Sequence, residues 1–145
     1  MKRKTILLVE DNANDEYLTI RALKQHNLAN DVVVVRDGAE ALEYLFGPGA
    51  PQNNGDRLPV LVLLDLKLPK VDGLQVLRRI RETNATKLLP VVILTSSNEE
   101  RDVLEGYRLG SNSYVQKPVD FTRFVEAVGQ LGVYWLMLNE PSPPA

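Results

Sequence analysis

Five short apolar runs, separated by amphipathic segments, constrain the fold of this chain more than any other feature of its sequence. The runs are rich in Val, Ile and Leu and do not alternate with polar residues, which is typical of strands buried on both faces. They cover residues 6–9, 32–35, 60–64, 91–94 and 114–115. Apolar residues recur at helical spacing after each run, the first time over residues 14–26. A β-α unit repeated five times predicts an α/β fold, a doubly wound (βα)5 five-stranded parallel sheet with helices on both faces.

The chain length fits one domain. With 145 residues, the chain can bury a hydrophobic core of ordinary size. We expect residues 1–140 to form this domain. Residues 47–59, rich in Gly and Pro, predict an inserted surface loop before the third strand. Residues 141–145 are rich in Pro and predict a disordered tail.

Composition excludes several classes of function. The 17 basic and 19 acidic residues give a net charge of -2, which offers no sign of binding to nucleic acid or to an anionic membrane. With 0 Cys and 1 His, the chain cannot form a thiolate metal site or use a cysteine nucleophile. No apolar run approaches the ~20 residues of a membrane span, so the expected location is cytoplasmic.

Polar residues follow four of the five predicted strands. Glu10 and Asp11 follow the first strand, Asp65 the third, Thr95 the fourth and Lys117 the fifth. Because ligands of open α/β sheets bind at the carboxyl ends of the strands, we expect three carboxylates, a hydroxyl and an ammonium to meet there. Each residue alone has an ordinary explanation as a cap, a turn residue or a surface charge. The conjunction of all five favours a functional pocket.

The chemistry of this predicted pocket is that of phosphoryl transfer. Carboxylates ~4 Å apart repel each other by ~4 kcal/mol at an effective dielectric constant of 20, so a cation is expected among them. Hard oxygen ligands without sulfur or imidazole favour Mg²⁺, Mn²⁺ or Ca²⁺. A carboxylate can also act as a nucleophile and form an aspartyl phosphate. Asp65 is the best candidate, with Lys117 and Thr95 placed to contact the phosphoryl oxygens.

The same residues resemble the motifs of a known family, the receiver domain of bacterial two-component response regulators. The motifs are LLVEDN at 7–12, LLDLKLP at 63–69, DG at 72–73, LTS at 94–96 and QKP at 116–118. The resemblance implies a flavodoxin-like receiver topology. The inserted loop, the start of the fourth helix and the aromatic end of the chain are similar to response regulators paired with phytochrome-type kinases.

The resemblance implies a phosphoacceptor and a metal site. Asp65 would take a phosphoryl group from a phosphohistidine of a sensor histidine kinase, and the likeness just described implies a kinase of the phytochrome type. Glu10, Asp11 and Asp65 would hold Mg²⁺, together with the backbone carbonyl of Lys67. The Lys67 side chain either faces solvent or acts at the site as a second cation, where we hypothesise that it alters hydrolysis of the acyl phosphate.

The resemblance also implies a switch. Thr95 and Tyr114 would form the switch pair, and Lys117 would bind the phosphoryl group. The chain is expected to be a stand-alone regulator, not an enzyme acting on other substrates, which signals through its own surface. The apolar segment 133–138 either folds back onto the sheet or, with helix four, strand five and helix five, forms a homodimer or kinase contact.

Three other functions compete with this interpretation. The first is a receiver-like binding module that works without phosphorylation. The second is a hydrolase of the haloacid dehalogenase type, which also uses an Asp nucleophile and Mg²⁺ but carries a second Asp two residues further on. The third is a flavodoxin-like binder of flavin or nucleotide, which would place a phosphate-binding loop after the first strand.

Overall fold

Parallel strands and helices alternate along the chain, which confirms the predicted fold class. The structure is a computed structural model and describes residues 4–25, 31–51, 58–117, 120–140 and 142–143. The strands are β1 Thr5–Val9, β2 Asp31–Val35, β3 Leu61–Leu64, β4 Val91–Thr95 and β5 Ser113–Gln116. The helices are α1 Ala13–Gln25, α2 Gly38–Phe46, α3 Gly73–Glu82, α4 Glu100–Arg108 and α5 Phe121–Val133.

The strands form one sheet in the order β2-β1-β3-β4-β5, and all neighbouring pairs are parallel. In this order β1 lies inside the sheet, with β2 on one side of it and β3 on the other. Crossovers leave opposite sides of the sheet at this point, so a crevice opens beyond the carboxyl ends of β1 and β3. This crevice is where the predicted site residues are expected.

Alternate residues of each central strand serve two separate cores. In β1, Leu7 and Val9 belong to the core that includes α2 and α3, while Ile6 and Leu8 belong to the core that includes α1 and α5. Every residue of β3 and β4 is buried. Burial on both faces explains why these strands are continuous apolar runs in the sequence. The edge strands β2 and β5 are mostly half-buried.

Backbone contacts also bring α3 close to the end of β3. Asp72 caps this helix by accepting a hydrogen bond from the backbone N–H of Gln75, and the two residues form a capping box. The next residue, Gly73, donates its N–H to the carbonyl of Leu66 at 2.9 Å. A Cβ at Gly73 would lie 2.2 Å from the carbonyl oxygen of Asp65, so only glycine allows this approach.

The chain continues past α5 into a π-helical turn, Tyr134–Leu138. Leu136 is buried there and packs in the core beside α5, with Trp135 partly buried against it. Lys4 donates a hydrogen bond from its Nζ to the carbonyl of Leu136 at 2.7 Å. Part of the segment therefore folds back onto the domain, as one of the two interpretations predicted. Tyr134, Met137 and Leu138 remain exposed.

Several sequence predictions concern residues outside the described ranges. The last predicted residue of the first helix, His26, is one of them, and within the described ranges that helix ends at Gln25. The same holds for residues 52–57 of the inserted loop and for most of the 141–145 tail, where only residues 142–143 are described. Among the described residues, no helix is long and apolar enough to cross a membrane.

Candidate functional site

Backbone hydrogen bonds continue the sheet by one residue and fix the site residues at the strand ends. The N–H of Glu10 donates to the carbonyl of Val35, and the N–H of Asp65 donates to the carbonyl of Val9. On the other side, the N–H of Lys117 donates to the carbonyl of Thr95 at 2.7 Å. The residues after β1, β3 and β5 are therefore held as rigidly as the strands that precede them.

Three carboxylates meet at the crevice. Oxygens of Glu10, Asp11 and Asp65 lie within 4.8 Å of one another. Glu10 and Asp65 are buried, with 2% and 6% of their surface exposed, while Asp11 is exposed to solvent. The cluster thus has two buried oxygen donors and one at the mouth. Hard oxygen donors with one side open suit Mg²⁺, which keeps several waters, so these residues fit the predicted metal.

The ammonium of Lys117 joins this cluster from β5. It donates to Glu10 Oε1 at 2.5 Å, to Asp15 Oδ2 at 2.8 Å and to Asp65 Oδ2 at 3.0 Å. An ammonium has three N–H donors, so all three are used. Burial alone would lower the pKa of Lys117, but the three carboxylates outweigh it and raise that pKa. The lysine remains charged at any physiological pH.

Asp65 is held from both sides. Its Oδ1 accepts a hydrogen bond from the hydroxyl of Thr95 at 2.7 Å and another from the N–H of Lys67 at 3.3 Å, while Oδ2 faces Lys117. Burial opposes ionisation of Asp65, but the Thr95 hydroxyl and the lysine outweigh it and lower its pKa. This carboxylate is therefore ionised and oriented, as a nucleophile must be.

Glu10 behaves differently from Asp65, although both face Lys117. Burial raises the pKa of Glu10 to about 7, and the nearby lysine offsets this only in part. The negative charge of Asp65 acts in the same direction as burial. The pocket thus contains one carboxylate that is strongly ionised and another that is protonated more easily. This asymmetry has two causes: only Asp65 accepts a hydrogen bond from the Thr95 hydroxyl, and the contact between Glu10 and Asp65 raises the pKa of Glu10 while it lowers that of Asp65.

A second polar network lies beside the pocket and involves Lys67 and Tyr114. The Lys67 ammonium lies 3.5 Å from Asp102 Oδ2, which also accepts a hydrogen bond from the Ser97 hydroxyl at 2.6 Å. Tyr114 donates its hydroxyl to the carbonyl of Ser97 at 2.9 Å. Lys67 therefore contributes its backbone N–H to Asp65, while its side chain pairs with Asp102 on α4.

Two acidic residues of the site were not among the sequence predictions. Asp15 lies in the first turn of α1, and Asp102 lies in the first turn of α4. Acidic residues in a first helical turn are common because they interact favourably with the helix dipole. Neither acidic residue directly follows an apolar run, so the reasoning that found the strand-end residues gave no signal for them.

The chain is similar to several known proteins. The family model for the response regulator receiver domain matches residues 6–129. A probable methanogenesis regulatory protein, FilR2 of Methanothrix harundinacea (strain 6Ac), is 39% identical over 140 residues, covering 97% of this chain and 88% of FilR2. Response regulator Rcp1 of Synechocystis sp. (strain ATCC 27184 / PCC 6803 / Kazusa) is 38% identical over 133 residues, covering 92% of this chain and 89% of Rcp1.

Solved structures give the same result. The phosphorylated cyanobacterial phytochrome response regulator RcpA superposes with a TM-score of 0.88 at 36% identity, covering 98% of this chain and 100% of RcpA. The Mn²⁺-bound form of Rcp1 superposes with a TM-score of 0.86 at 34% identity, covering 97% of this chain and 99% of that structure. The similarity therefore extends over whole chains in both sequence and structure.

Proposed function

Because this chain belongs to the response regulator receiver domain family, we propose that its Asp65 accepts a phosphoryl group from a phosphohistidine of a sensor histidine kinase. The observation that carries the proposal is the position of Asp65, buried between the Thr95 hydroxyl and the Lys117 ammonium beside two further carboxylates. Similarity to a phytochrome response regulator over 98% of the chain supports a phytochrome-type kinase as the donor.

In the proposed reaction, a carboxylate oxygen of Asp65 attacks the phosphorus of the phosphohistidine. An O–P bond forms as the N–P bond breaks, and the electron pair of that bond stays on the imidazole nitrogen, which takes up a proton. Lys117 and the hydroxyl of Thr95 are placed to stabilise the charge on the phosphoryl oxygens. Mg²⁺, held by Glu10, Asp11 and Asp65 with the carbonyl of Lys67, would neutralise further charge.

The output of this reaction is a change in the protein's own surface. The phosphoryl group of an acyl phosphate carries about -1.5 to -2 charges at pH 7, next to Thr95, where the Asp65 carboxylate carried a single negative charge. The hydroxyl of Thr95 would then bond to a phosphoryl oxygen, and Tyr114 would respond through the loop that links β4 to α4. Tyr114 is half-buried against one of the two cores and bonded to Ser97 in this loop. We place the switch on the face formed by α4, β5 and α5.

The site argues against all three competing functions. A hydrolase of the haloacid dehalogenase type needs a general acid two residues after its nucleophile, and that residue here is Lys67, whose side chain pairs with Asp102. A flavin or nucleotide phosphate after β1 would face Glu10 and Asp11, which would repel it. A module that works without phosphorylation has no need to keep Asp65 ionised in a buried position.

Exposed apolar side chains support self-association as a further part of the function. Tyr134, Met137 and Leu138 are exposed after α5, and Leu104 and Tyr107 are exposed on α4. Large exposed apolar residues are typical of interfaces. We propose that α4 and the segment after α5 contribute to a homodimer interface. Sedimentation at several protein concentrations tests the proposal, and a monomer mass at every concentration would contradict it.

The acceptor role is tested by intact-mass spectrometry after incubation with Mg²⁺ and acetyl phosphate. We expect one phosphoryl adduct on the parent protein and none on Asp65→Asn or in EDTA. Asp72→Asn is a matched control because it makes the same chemical change at an exposed helix cap after the same strand. An adduct on Asp65→Asn, or no adduct on the control, would contradict the assignment.

A further inference from the structure

Lys117 is bonded to one carboxylate that lies outside the predicted metal cluster. Its three acceptors come from three elements: Glu10 after β1, Asp15 on α1 and Asp65 after β3. Glu10 and Asp65 belong to the cluster whose oxygens lie within 4.8 Å of one another, and the third member of that cluster is Asp11. Asp15 is not a member. The lysine therefore shares two of its three acceptors with the proposed cation.

This sharing creates a competition. A divalent cation and an ammonium that bind the same two carboxylates repel each other, so the cation binds more easily when the ammonium has another acceptor. Asp15 offers that acceptor at 2.8 Å without any movement of the backbone. Its side chain is 25% exposed, against 2% for Glu10 and 8% for Asp65. Asp15 thus marks the solvent side of the lysine.

Local contacts anchor the backbone that carries the Asp15 carboxylate. The backbone N–H of Asp15 donates to the side chain of Asn12 at 2.9 Å, and its carbonyl accepts a hydrogen bond from the Thr19 hydroxyl at 2.7 Å. Neither contact involves a member of the metal cluster. The backbone of Asp15 is therefore held by groups that do not have to bind the cation.

We propose that Asp15 is a positioning residue for Lys117, the carboxylate that retains the ammonium when a divalent cation binds to Glu10 and Asp65. Asp15 thereby makes the free energy of cation binding more favourable. It also keeps the Lys117 ammonium in a position to bind the phosphoryl group. The inference rests on the proposed function, because it assumes that the cluster binds Mg²⁺. It assigns a role to a residue that contacts neither the cation nor the phosphoryl group.

The test is a double-mutant cycle read by calorimetric titration with MgCl₂. We expect Asp15→Asn to raise the dissociation constant for Mg²⁺ about tenfold when Lys117 is present, and only about threefold or less in a Lys117→Met background. The smaller effect is the loss of a nearby negative charge, which is the same in both backgrounds. The difference between the two factors measures how much of the effect of Asp15 on Mg²⁺ binding requires Lys117.

The controls separate this role from a structural one. Glu16→Gln removes the same charge from the next position of α1, where the carboxylate pairs with Arg36, and we expect it to leave the dissociation constant nearly unchanged. Asp15→Ser serves as a second variant in case Asp15→Asn does not fold. Thermal unfolding in EDTA reports any structural damage caused by Asp15→Asn. Such damage would change the dissociation constant for Mg²⁺ by the same factor with Lys117 and with Lys117→Met.

Three outcomes would overturn the inference. The first is that Asp15→Asn raises the dissociation constant for Mg²⁺ by the same factor with Lys117 and with Lys117→Met. The second is that Asp15→Asn has no effect on this constant when Lys117 is present. The third is that the parent protein does not bind Mg²⁺.

Phosphorylation plays no part in the titration, so the role of Asp15 and the acceptor role of Asp65 are read by separate measurements. Absence of Mg²⁺ binding would overturn both the inference and the proposed Mg²⁺ dependence of phosphorylation. An intact adduct on Asp65 combined with equal factors would reject the role of Asp15 alone. Unequal factors without an adduct would reject the acceptor role alone.

Discussion

At the scale of the single residue, a buried nucleophilic carboxylate must stay ionised, and Thr95 helps to keep Asp65 so. Its hydroxyl donates to Asp65 Oδ1 at 2.7 Å and is the largest single interaction that lowers the pKa of the carboxyl, followed by the charge and the hydrogen bond of Lys117. Hydrogen bonds to charged groups contribute about 1.5–3 kcal/mol. The hydroxyl is therefore expected to matter before any phosphoryl group arrives.

Replacing Thr95 by two residues of different chemistry separates the hydroxyl from the methyl group. We expect Thr95→Val to raise the pKa of Asp65 and to slow its phosphorylation, because the side chain keeps its shape but loses the donor. Thr95→Ser keeps the donor and should stay close to the parent protein. The pKa is measured by carbon-13 NMR of the Asp65 carboxyl in EDTA, and equal pKa values in the two variants would contradict the expectation.

Ionisation of Asp102 makes the stability of the fold depend on pH. The Ser97 hydroxyl, followed by the ammonium of Lys67, holds the pKa of Asp102 below its usual range despite burial. A lowered pKa in the folded state stabilises the fold above the unfolded pKa of about 3.9, and this stability is lost as the pH falls through the folded value. Asp102→Asn should therefore unfold more easily than the parent at pH 7.

The difference between Asp102→Asn and the parent should shrink as the pH falls below about 4, where unfolded aspartates become protonated. Urea unfolding at several pH values measures it. In a Ser97→Ala background, the difference at pH 7 should be smaller because the main cause of the pKa shift is gone. A difference that stays constant from pH 7 to pH 3 would show that the ionised form of Asp102 has no special role.

Sequence reasoning located the residues that directly follow an apolar run, because such a residue can only lie at the end of a strand. Glu10 and Asp65 are of this kind, and Lys117 follows its run after one intervening residue. It did not locate Asp15 and Asp102, since the helical repeat shows which face a residue occupies but not which neighbour its side chain meets. Contacts between a helix and a loop depend on tertiary distances that no local pattern encodes.

At the scale of the element, the approach of α3 to β3 determines where Asp65 lies. A Cβ at Gly73 would lie 2.2 Å from the carbonyl oxygen of Asp65 and 2.7 Å from the Cα of Leu66. Both atoms belong to the backbone, so they cannot rotate away as a side chain could. The spacing between the helix and the strand end would have to increase, and the carboxylate would move with its backbone.

We therefore expect Gly73→Ala to destabilise the fold by about 1–3 kcal/mol, the usual cost of overpacking. We also expect it to slow phosphorylation of Asp65 at a pH and temperature where the variant remains folded. Gly49→Ala is the matched control because a Cβ there meets nothing within 4 Å. Urea unfolding and the rate of adduct formation are the two measurements, and a parent-like phosphorylation rate in Gly73→Ala would contradict the expectation.

The five strands and the first helix were predicted to within one or two residues at each described end, and the other helices were predicted in place without bounds, since apolar runs and helical spacing are strong signals. The π-helical turn Tyr134–Leu138 was not predicted. Five consecutive apolar residues fit any helical period equally well, so the pattern cannot show which of them turn inward. Burial of Leu136 depends on the space left between α5 and the sheet, and that is a tertiary property.

At the scale of the whole molecule, the segment after α5 has two faces with different roles. Leu136 is 5% exposed and belongs to the core beside α5, while Leu138 is 71% exposed. The inward face completes the domain. The outward face contributes to the apolar surface for which we propose self-association. One substitution on each face separates the two roles.

We expect Leu136→Ala to lower the free energy of unfolding by about 3 kcal/mol, because it leaves a cavity in a packed core. Leu138→Ala should leave the stability of the dilute protein nearly unchanged and weaken its association. Urea unfolding at low concentration and sedimentation at high concentration measure the two effects. An equal loss of stability in both variants would contradict the division into two faces.

The pocket joins residues that are far apart in the chain, since Glu10 and Lys117 are separated by 107 positions. Every pocket carboxylate precedes Lys117 in the chain, and the ammonium of Lys117 binds three of them. A chain that lacked β5 would leave these negative charges facing one another without that ammonium. We therefore expect the pocket to be complete only when the last strand has joined the sheet.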